Sequence, residues 1–166
     1  MHQINGVQRI RIATPEDILS LPRLETAADH LLETELGSAE LPLAATVLKA
    51  GWLFVLVAGE PPLGFARVDK VDGQAHLEQL SVNPEVARRG MGRALLEAAV
   101  VEARRLGFGA MTLCTFADVR FNAPFYASFG FEEFPDPGIE AAALREHEAD
   151  LGLDRLGRRV IMRLRL

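Results

Sequence analysis

The chain has 166 residues, of which 49% are apolar and 25% charged, and its net charge is −5. This length suits one compact domain with a buried core, and this composition excludes disordered and collagen-like chains. The acidic balance argues against nucleic acid as the main partner. The single cysteine, the lack of a signal-like N-terminus and the lack of a long apolar segment predict a cytoplasmic protein without a membrane anchor.

The first part of the chain predicts a strand and two helices. Val7 to Ile12 alternates apolar and polar side chains, as strands do. The run Thr14 to Asp17 has a hydroxyl cap, a proline and two acids, which are typical of a helix start. This helix is expected to run to about Glu33, with a break near Pro22 as an alternative, and Leu41 to Ala50 predicts a second helix.

A β-rich region follows. Trp52 to Ala58 and Leu63 to Val68 are separated by a Gly-Glu-Pro-Pro turn and predict a hairpin. The pair Asp72-Gly73 indicates another tight turn, which leads into a strand from Ala75 to Val82.

The second half predicts a helix between two parallel strands. A helix from about Gly90 to Leu106 precedes a strand from Ala110 to Thr115, and such a crossover makes the flanking strands parallel neighbours. The remaining predicted elements are a helix at 124–129, a strand at 131–134, an acidic helix at 140–150 and a strand at 159–164. The predicted fold is α+β, with a mixed sheet that is antiparallel except for one central pair.

The junction between the strand ending at Val82 and the following helix carries the strongest functional signal. Gly90 and Gly92 allow a ligand to approach the main chain, and a helix N-terminus offers free N–H groups to a phosphate. Arg88 and Arg89 add positive charge. The spacing matches neither the dinucleotide fingerprint nor the P-loop. The less favoured alternative is a helix whose glycines only shape its first turn.

Three segments together resemble the GNAT superfamily of acetyl-CoA-dependent N-acetyltransferases. They are Leu80-Ser81-Val82, the run from Arg89 to Leu96, and the run from Asn122 to Phe131. The family's turn usually carries Gln or Arg where this chain has Ala87. The resemblance implies a single GNAT domain at 7–166 after a tail at 1–6. It also implies a splayed parallel strand pair and helices on both faces of the sheet.

The resemblance also implies how acetyl-CoA, the expected cosubstrate, binds. The pyrophosphate would lie on the main-chain amides of residues 87–93, and the pantetheine would pair with the strand ending at Val82. The residues implied in cofactor binding are Leu80, Ser81, Val82, Ala87, Arg88, Arg89, Gly90, Met91, Gly92, Arg93, Asn122 and Phe125. For Asn122, a simple helix cap is the alternative.

Two residues are candidates for proton transfer. Tyr126, the only tyrosine, matches the family's tyrosine and would protonate the departing thiolate, with a core aromatic as the alternative. Glu78 would accept the amine proton, bind a substrate cation or play a structural role. His76 and Gln79 are weaker candidates, because a bulge would change which face each side chain occupies. An acyl-enzyme at Cys114 is disfavoured against a core role.

The predicted function is transfer of acetyl from acetyl-CoA to a primary amine of a small molecule or peptide by direct attack. The alternative is a non-catalytic acyl-CoA-binding regulatory domain with the same fold. The histidines show no spacing typical of a metal site. The acidic run at 140–150 predicts a solvated helix face, and formation of a homodimer stays open.

Overall fold

The computed structural model describes residues 9–37, 41 and 51–166. In these ranges seven strands form one sheet, with four α-helices packed on it. The strands are β1 (Ile10–Ile12), β2 (Phe54–Ala58), β3 (Gly64–Val71), β4 (Gln74–Val82), β5 (Ala110–Phe116), β6 (Glu132–Glu133) and β7 (Arg159–Arg165). The helices are α1 (Pro15–Glu35), α2 (Met91–Arg105), α3 (Ala123–Phe129) and α4 (Ile139–Asp150). None of the helices described is long and apolar enough to cross a bilayer.

The strand order is β1-β2-β3-β4-β5-β7-β6, and among these strands β4 and β5 are the parallel pair. Helix α2 connects the two, because parallel neighbours need a crossover. The predicted α+β fold with a central parallel pair is therefore confirmed. The insertion of β7 between β5 and β6 was not indicated by the sequence patterns.

The two faces of the sheet differ in character. On one face α2 buries Leu95 and Leu96 in the main apolar core. On the other face α1 buries Leu21 and Leu24 against β2 and β3, and α4 contributes Ala141 to a small separate cluster. Because α1 and α4 form two separate clusters, the middle of this second face is left to polar side chains.

Helix α1 begins as predicted and continues through Pro22 to Glu35, so the alternative of a break is wrong. Thr14 and Asp17 form a reciprocal capping box, and Asp17 also pairs with Arg11. Leu21 is fully buried beside the proline, and this packing holds the helix together despite the lost hydrogen bond.

Most other predicted elements are present with shifted ends. The hairpin strands are Phe54–Ala58 and Gly64–Val71, and the strand predicted at 131–134 is reduced to Glu132–Glu133. Of the strand predicted at 7–12, the described part is Ile10–Ile12. The helix predicted at Leu41 to Ala50 lies outside the described residues, except for its first residue.

Helix α4 is held in place by a distant residue. The carboxylate of Asp72, in the turn between β3 and β4, accepts the N–H groups of Glu140 and Ala141 at 2.8 and 2.9 Å. Glu140 in return accepts the Asp72 N–H at 2.7 Å. Gly138 makes room for this contact, since a Cβ there would lie 2.3 Å from the Asp72 carboxyl carbon. The turn therefore caps α4 and fixes it over the sheet.

Candidate active site

The turn between β4 and α2 exposes main-chain donors. Its first part is a 3-10 turn at Pro84–Val86, and the chain then takes a positive φ at Arg88 (65°) and at Gly90 (84°). The first α2 bond closing on Gly90 is donated by Ala94, at 3.0 Å. The N–H groups of residues 91–93 precede this bond, so they point out of the helix end. This geometry suits an anion.

The arginine side chains of this turn do not converge. Arg88 and Arg89 are exposed. Arg93 lies over the ring of Phe129 in α3 at 5.2 Å and is 3.5 Å from Glu97. A Cβ added at Gly92 would meet Val82 at an ordinary 3.7 Å. The concave surface is thus formed by main chain, with the arginine charge around it.

Strands β4 and β5 separate next to this turn. They pair only at Ala75–Met111, His76–Thr112 and Leu77–Leu113. Beyond these pairs β4 continues to Val82 and β5 to Phe116. Leu80 and Val82 pack towards the α2 core, whereas Ser81 is buried on the opposite face and accepts a hydrogen bond from Gln79. The divergent strands leave main-chain edges that do not pair with each other. This is the splayed parallel pair that the family resemblance implied.

Tyr126 lies in an aromatic cluster on the α2 side of the sheet. Its ring makes edge contacts with Phe125 at 5.2 Å and with Phe131 at 5.8 Å. Burial raises the pKa of Tyr126 above its usual value, and the nearby Arg159 charge opposes this only in part. The phenol therefore stays protonated at neutral pH, as a general acid must.

Asn122 joins α3 to β5. It occupies the N-cap position, but its side chain makes no capping hydrogen bond. Its Oδ1 instead accepts from the Thr115 hydroxyl at 2.6 Å. Asn122 is therefore the cap residue by position, as the alternative had it, but its side chain does not cap the helix. Phe125 lies in the same helix and is half-buried.

A β-bulge places Glu78 on the polar face of the sheet. The β3–β4 register shifts between Arg67, which opposes Gln79, and Val68, which opposes Leu77, so Glu78 is the extra residue. His76 Nδ1 lies 2.8 Å from the Thr112 hydroxyl, and His76 Nε2 lies 3.6 Å from Glu78 Oε2. His76 thus connects β5 to the candidate base.

The imidazole of His76 is neutral at physiological pH. Burial lowers the pKa of His76 to about 4, against the opposite influence of Asp69, Glu148 and Asp72. A neutral ring has one N–H and one acceptor nitrogen, so Nδ1 can bond the Thr112 hydroxyl while Nε2 faces Glu78 at 3.6 Å, beyond hydrogen-bond distance. His76 therefore lies beside Glu78 without adding a positive charge there.

Cys114 is held as a thiol. Its Sγ donates to Glu148 Oε2 at 3.0 Å, and burial raises the pKa of Cys114 to about 12. Glu148 also binds the Arg159 guanidinium at 2.7 and 3.1 Å, so this acid does not belong to the solvated face predicted for α4. The contacts argue against an acyl-cysteine, because the thiolate is the nucleophile.

The comparison with known families decides the identity of this fold. The acetyltransferase (GNAT) family matches residues 21–131. The chain belongs to this family. GNAT acetyltransferases use acetyl-CoA, which is therefore the cosubstrate of this protein. The outward N–H groups at the start of α2 and the open strand pair beside them fit a diphosphate followed by a narrow arm.

Solved GNAT structures share the fold. The PaiA N-acetyltransferase of Thermoplasma acidophilum, in complex with coenzyme A, is 17% identical, with 95% of this chain and 98% of that chain covered and a TM-score of 0.72. The ribosomal-protein-S18-alanine N-acetyltransferase of Escherichia coli is 22% identical, with 95% and 93% covered and a TM-score of 0.65. A GNAT acetyltransferase of Brucella melitensis, in complex with acetyl-CoA, is 21% identical, with 79% and 91% covered and a TM-score of 0.58.

Sequence reasoning missed three polar residues on the face of this GNAT sheet that carries Glu78. Arg67, Asp69 and Thr112 are charged or polar residues within strands. Arg67 donates to Asp69, and Asp69 lies opposite His76 in the β3–β4 pair. His76 in turn contacts Thr112 on β5. Their signal was present, since polar residues in otherwise apolar strands are unusual. Without the register, however, nothing indicated that they share a face. In the described ranges, no group of three or more His, Cys, Asp or Glu residues could hold a metal ion.

Proposed function

We propose that this GNAT acetyltransferase moves acetyl from acetyl-CoA to a primary amine of a small molecule or peptide by direct attack. The observation that carries the proposal is the position of the two candidate groups. Tyr126 packs on the α2 side of the sheet, whereas Glu78 lies with His76 on the other side. Strands β4 and β5 diverge beyond Leu77 and Leu113, so the two faces communicate there.

Each group has one task in this proposal. Acetyl-CoA supplies an activated carbonyl between the diverging strands. Glu78, directly or through a water, takes the proton of the attacking ammonium. A main-chain N–H near Val82 stabilises the oxyanion, because the edge of β4 has no strand partner there. When the C–S bond breaks, Tyr126 gives its proton to the departing sulfur, and the raised pKa keeps that proton available. The acetylated nitrogen loses a second proton, which balances the proton that the phenol gave up.

The cofactor residues are part of the same proposal. The amides of residues 87–93 bind the pyrophosphate, and the β4 edge at Leu80, Ser81 and Val82 pairs with the pantetheine. Asn122 and Phe125 flank the cofactor from α3. What supports this is the outward direction of the α2 donors and the missing β4–β5 pairing beside them.

The Tyr126→Phe variant tests the proposal. Loss of the hydroxyl removes the acid but leaves the main-chain turn intact, so kcat should fall about 100-fold with an unchanged Kd for acetyl-CoA. Thiol release and calorimetry measure the two quantities. Phe131→Leu is the control, because it disturbs the same aromatic cluster without removing a proton donor.

Two results would contradict the proposal. Equal loss of turnover and of acetyl-CoA binding in Tyr126→Phe would indicate a structural role for the phenol. A wild-type protein that binds acetyl-CoA and acetylates no amine in a broad panel would instead indicate the non-catalytic regulatory domain.

We also propose that residues 7–166 form one catalytic domain after a tail at 1–6, and that it acts in the cytoplasm. The sheet runs from Ile10 to Arg165, and the family match lies within these bounds. The single cysteine, whose half-buried thiol has a raised pKa, suits a reducing compartment.

A further inference from the structure

Arg67 is a buried arginine with an unused donor. It lies in the middle of β3 and is 4% exposed. Its Nε and Nη2 donate to the two carboxylate oxygens of Asp69 at 2.8 and 3.0 Å. Its Nη1 is buried and has no hydrogen-bond partner in the described structure. Buried N–H groups are almost always paired, so this nitrogen needs an explanation.

The neighbours of Arg67 do not satisfy Nη1. The ring of Trp52 lies 5.7 Å from the guanidinium carbon and interacts with the charge through its π face. The N–H bonds of Nη1 lie in the guanidinium plane and need an acceptor in that plane. Since Nε and Nη2 face Asp69, Nη1 lies on the far side of the rigid fork from this carboxylate.

The position of Arg67 relates this donor to the proposed chemistry. Arg67 opposes Gln79 directly, and Glu78 is the bulged residue beside Gln79. Opposed side chains on one face of a sheet start about 5 Å apart at their Cβ atoms. Asp69 opposes His76, which contacts Glu78. The unpaired donor of Arg67 and the candidate base therefore belong to neighbouring strands and lie on the same face of the sheet.

We propose that the acceptor amine also carries a carboxylate, as an α-amino acid does, and that Arg67 Nη1 binds it. This inference rests on the proposed function. Asp69 balances the charge of Arg67, so the pair accepts a zwitterion without a net change of charge. The ammonium of the acceptor faces Glu78 and its carboxylate faces Arg67. An amine without a carboxylate leaves Nη1 unpaired, which is a strong basis for discrimination.

Matched pairs of ligands test the proposal. Each common α-amino acid is compared with the amine that lacks its carboxylate, by calorimetry on the protein loaded with coenzyme A and by thiol release with acetyl-CoA. Binding is measured without turnover, so it does not depend on catalysis. In at least one pair the amino acid should bind about tenfold or more tightly than its amine.

Two variants separate ligand binding from a structural role. Arg67→Lys keeps the charge but loses the planar fork, and it should reduce the preference for the carboxylate to about one. Asp69→Asn removes the competing negative charge and should maintain or increase that preference. If the Arg67–Asp69 pair were purely structural, the preference for the carboxylate would change in the same direction in both variants. The melting temperature of each variant, measured in parallel, reports folding.

The outcomes distinguish the two proposals. Amino acids that bind but are not acetylated would support the carboxylate site and contradict the proposed function. Amines that bind as tightly as their amino acids in every pair, or a panel in which nothing binds, would overturn the carboxylate site. So would an Arg67→Lys protein that folds and keeps the preference.

Discussion

The turn before α2 and the polar face around Glu78 are built in different ways. The turn, residues 83–93, is a continuous segment whose donors belong to the main chain. The polar face takes side chains from three strands, with Arg67 and Asp69 on β3, His76 and Glu78 on β4, and Thr112 on β5. The turn presents main-chain donors through local backbone geometry, whereas the polar face presents side chains brought together by the sheet.

Under the proposed function, acetyl-CoA binds at the turn and the acceptor amine at the polar face. A main-chain turn tolerates side-chain changes, such as Ala87 where the family usually has Gln or Arg, because the donors are present in every residue. A cluster of side chains depends on the identity of each member and on the strand register. Binding of acetyl-CoA and selection of the acceptor should therefore respond to different mutations.

The largest expected effect is on the polar face. Glu78→Gln should reduce kcat about 100-fold while the Kd for acetyl-CoA is unchanged. The deficit should narrow as the pH rises towards the pKa of the acceptor amine, because free amine then needs no base. A pH–rate profile measures this. Glu146→Gln, on the exposed side of α4, is the control, and a deficit independent of pH would contradict a role as base.

The second effect concerns the neutral imidazole. Because the pKa of His76 falls from 6.5 to about 4 on folding, the unfolded state binds a proton first as the pH falls. The free energy of unfolding therefore contains the full contribution of the neutral imidazole above pH 6.5. This contribution, about 3 kcal/mol, is lost as the pH falls from 6.5 to 4. Urea unfolding across this range should show a shallower decline for His76→Gln than for the wild type. If the two proteins lost stability equally as the pH falls, His76 would not be the cause of the acid sensitivity.

The smallest effect should come from the turn. Gly90 has a φ of 84°, and an added Cβ would meet nothing within 4 Å, so Gly90→Ala introduces backbone strain alone. This strain of about 1–2 kcal/mol should weaken acetyl-CoA binding about tenfold, with kcat at saturation unchanged. Gly107→Ala is the matched control, since it has a φ of 88° and equal space at the other end of α2. Equal loss of binding in both variants would contradict the role of the turn.

The sequence predicted the regions that depend on near neighbours. A strand, a glycine-containing turn and a helix start within seventeen residues predicted the crossover and the parallel pair, which the structure confirms. The anion site at 87–93 was predicted from the same segment and stays a prediction. The same local signals predicted the start of α1 at Thr14 and the end of α3 at Gly130. These signals work because caps and turns are set by contacts over three or four residues.

Only the tertiary structure decided the polar face and the position of α4. The bulge at Glu78 is a property of the pairing with β3, and His76 meets Thr112 from 36 residues away. Asp72 caps α4 from 68 residues away. Glu148, predicted to lie on a solvated helix face, instead contacts Arg159 and Cys114. The physical reason is burial: a side chain's protonation and partners depend on what the assembled sheet places beside it, and no local pattern records that.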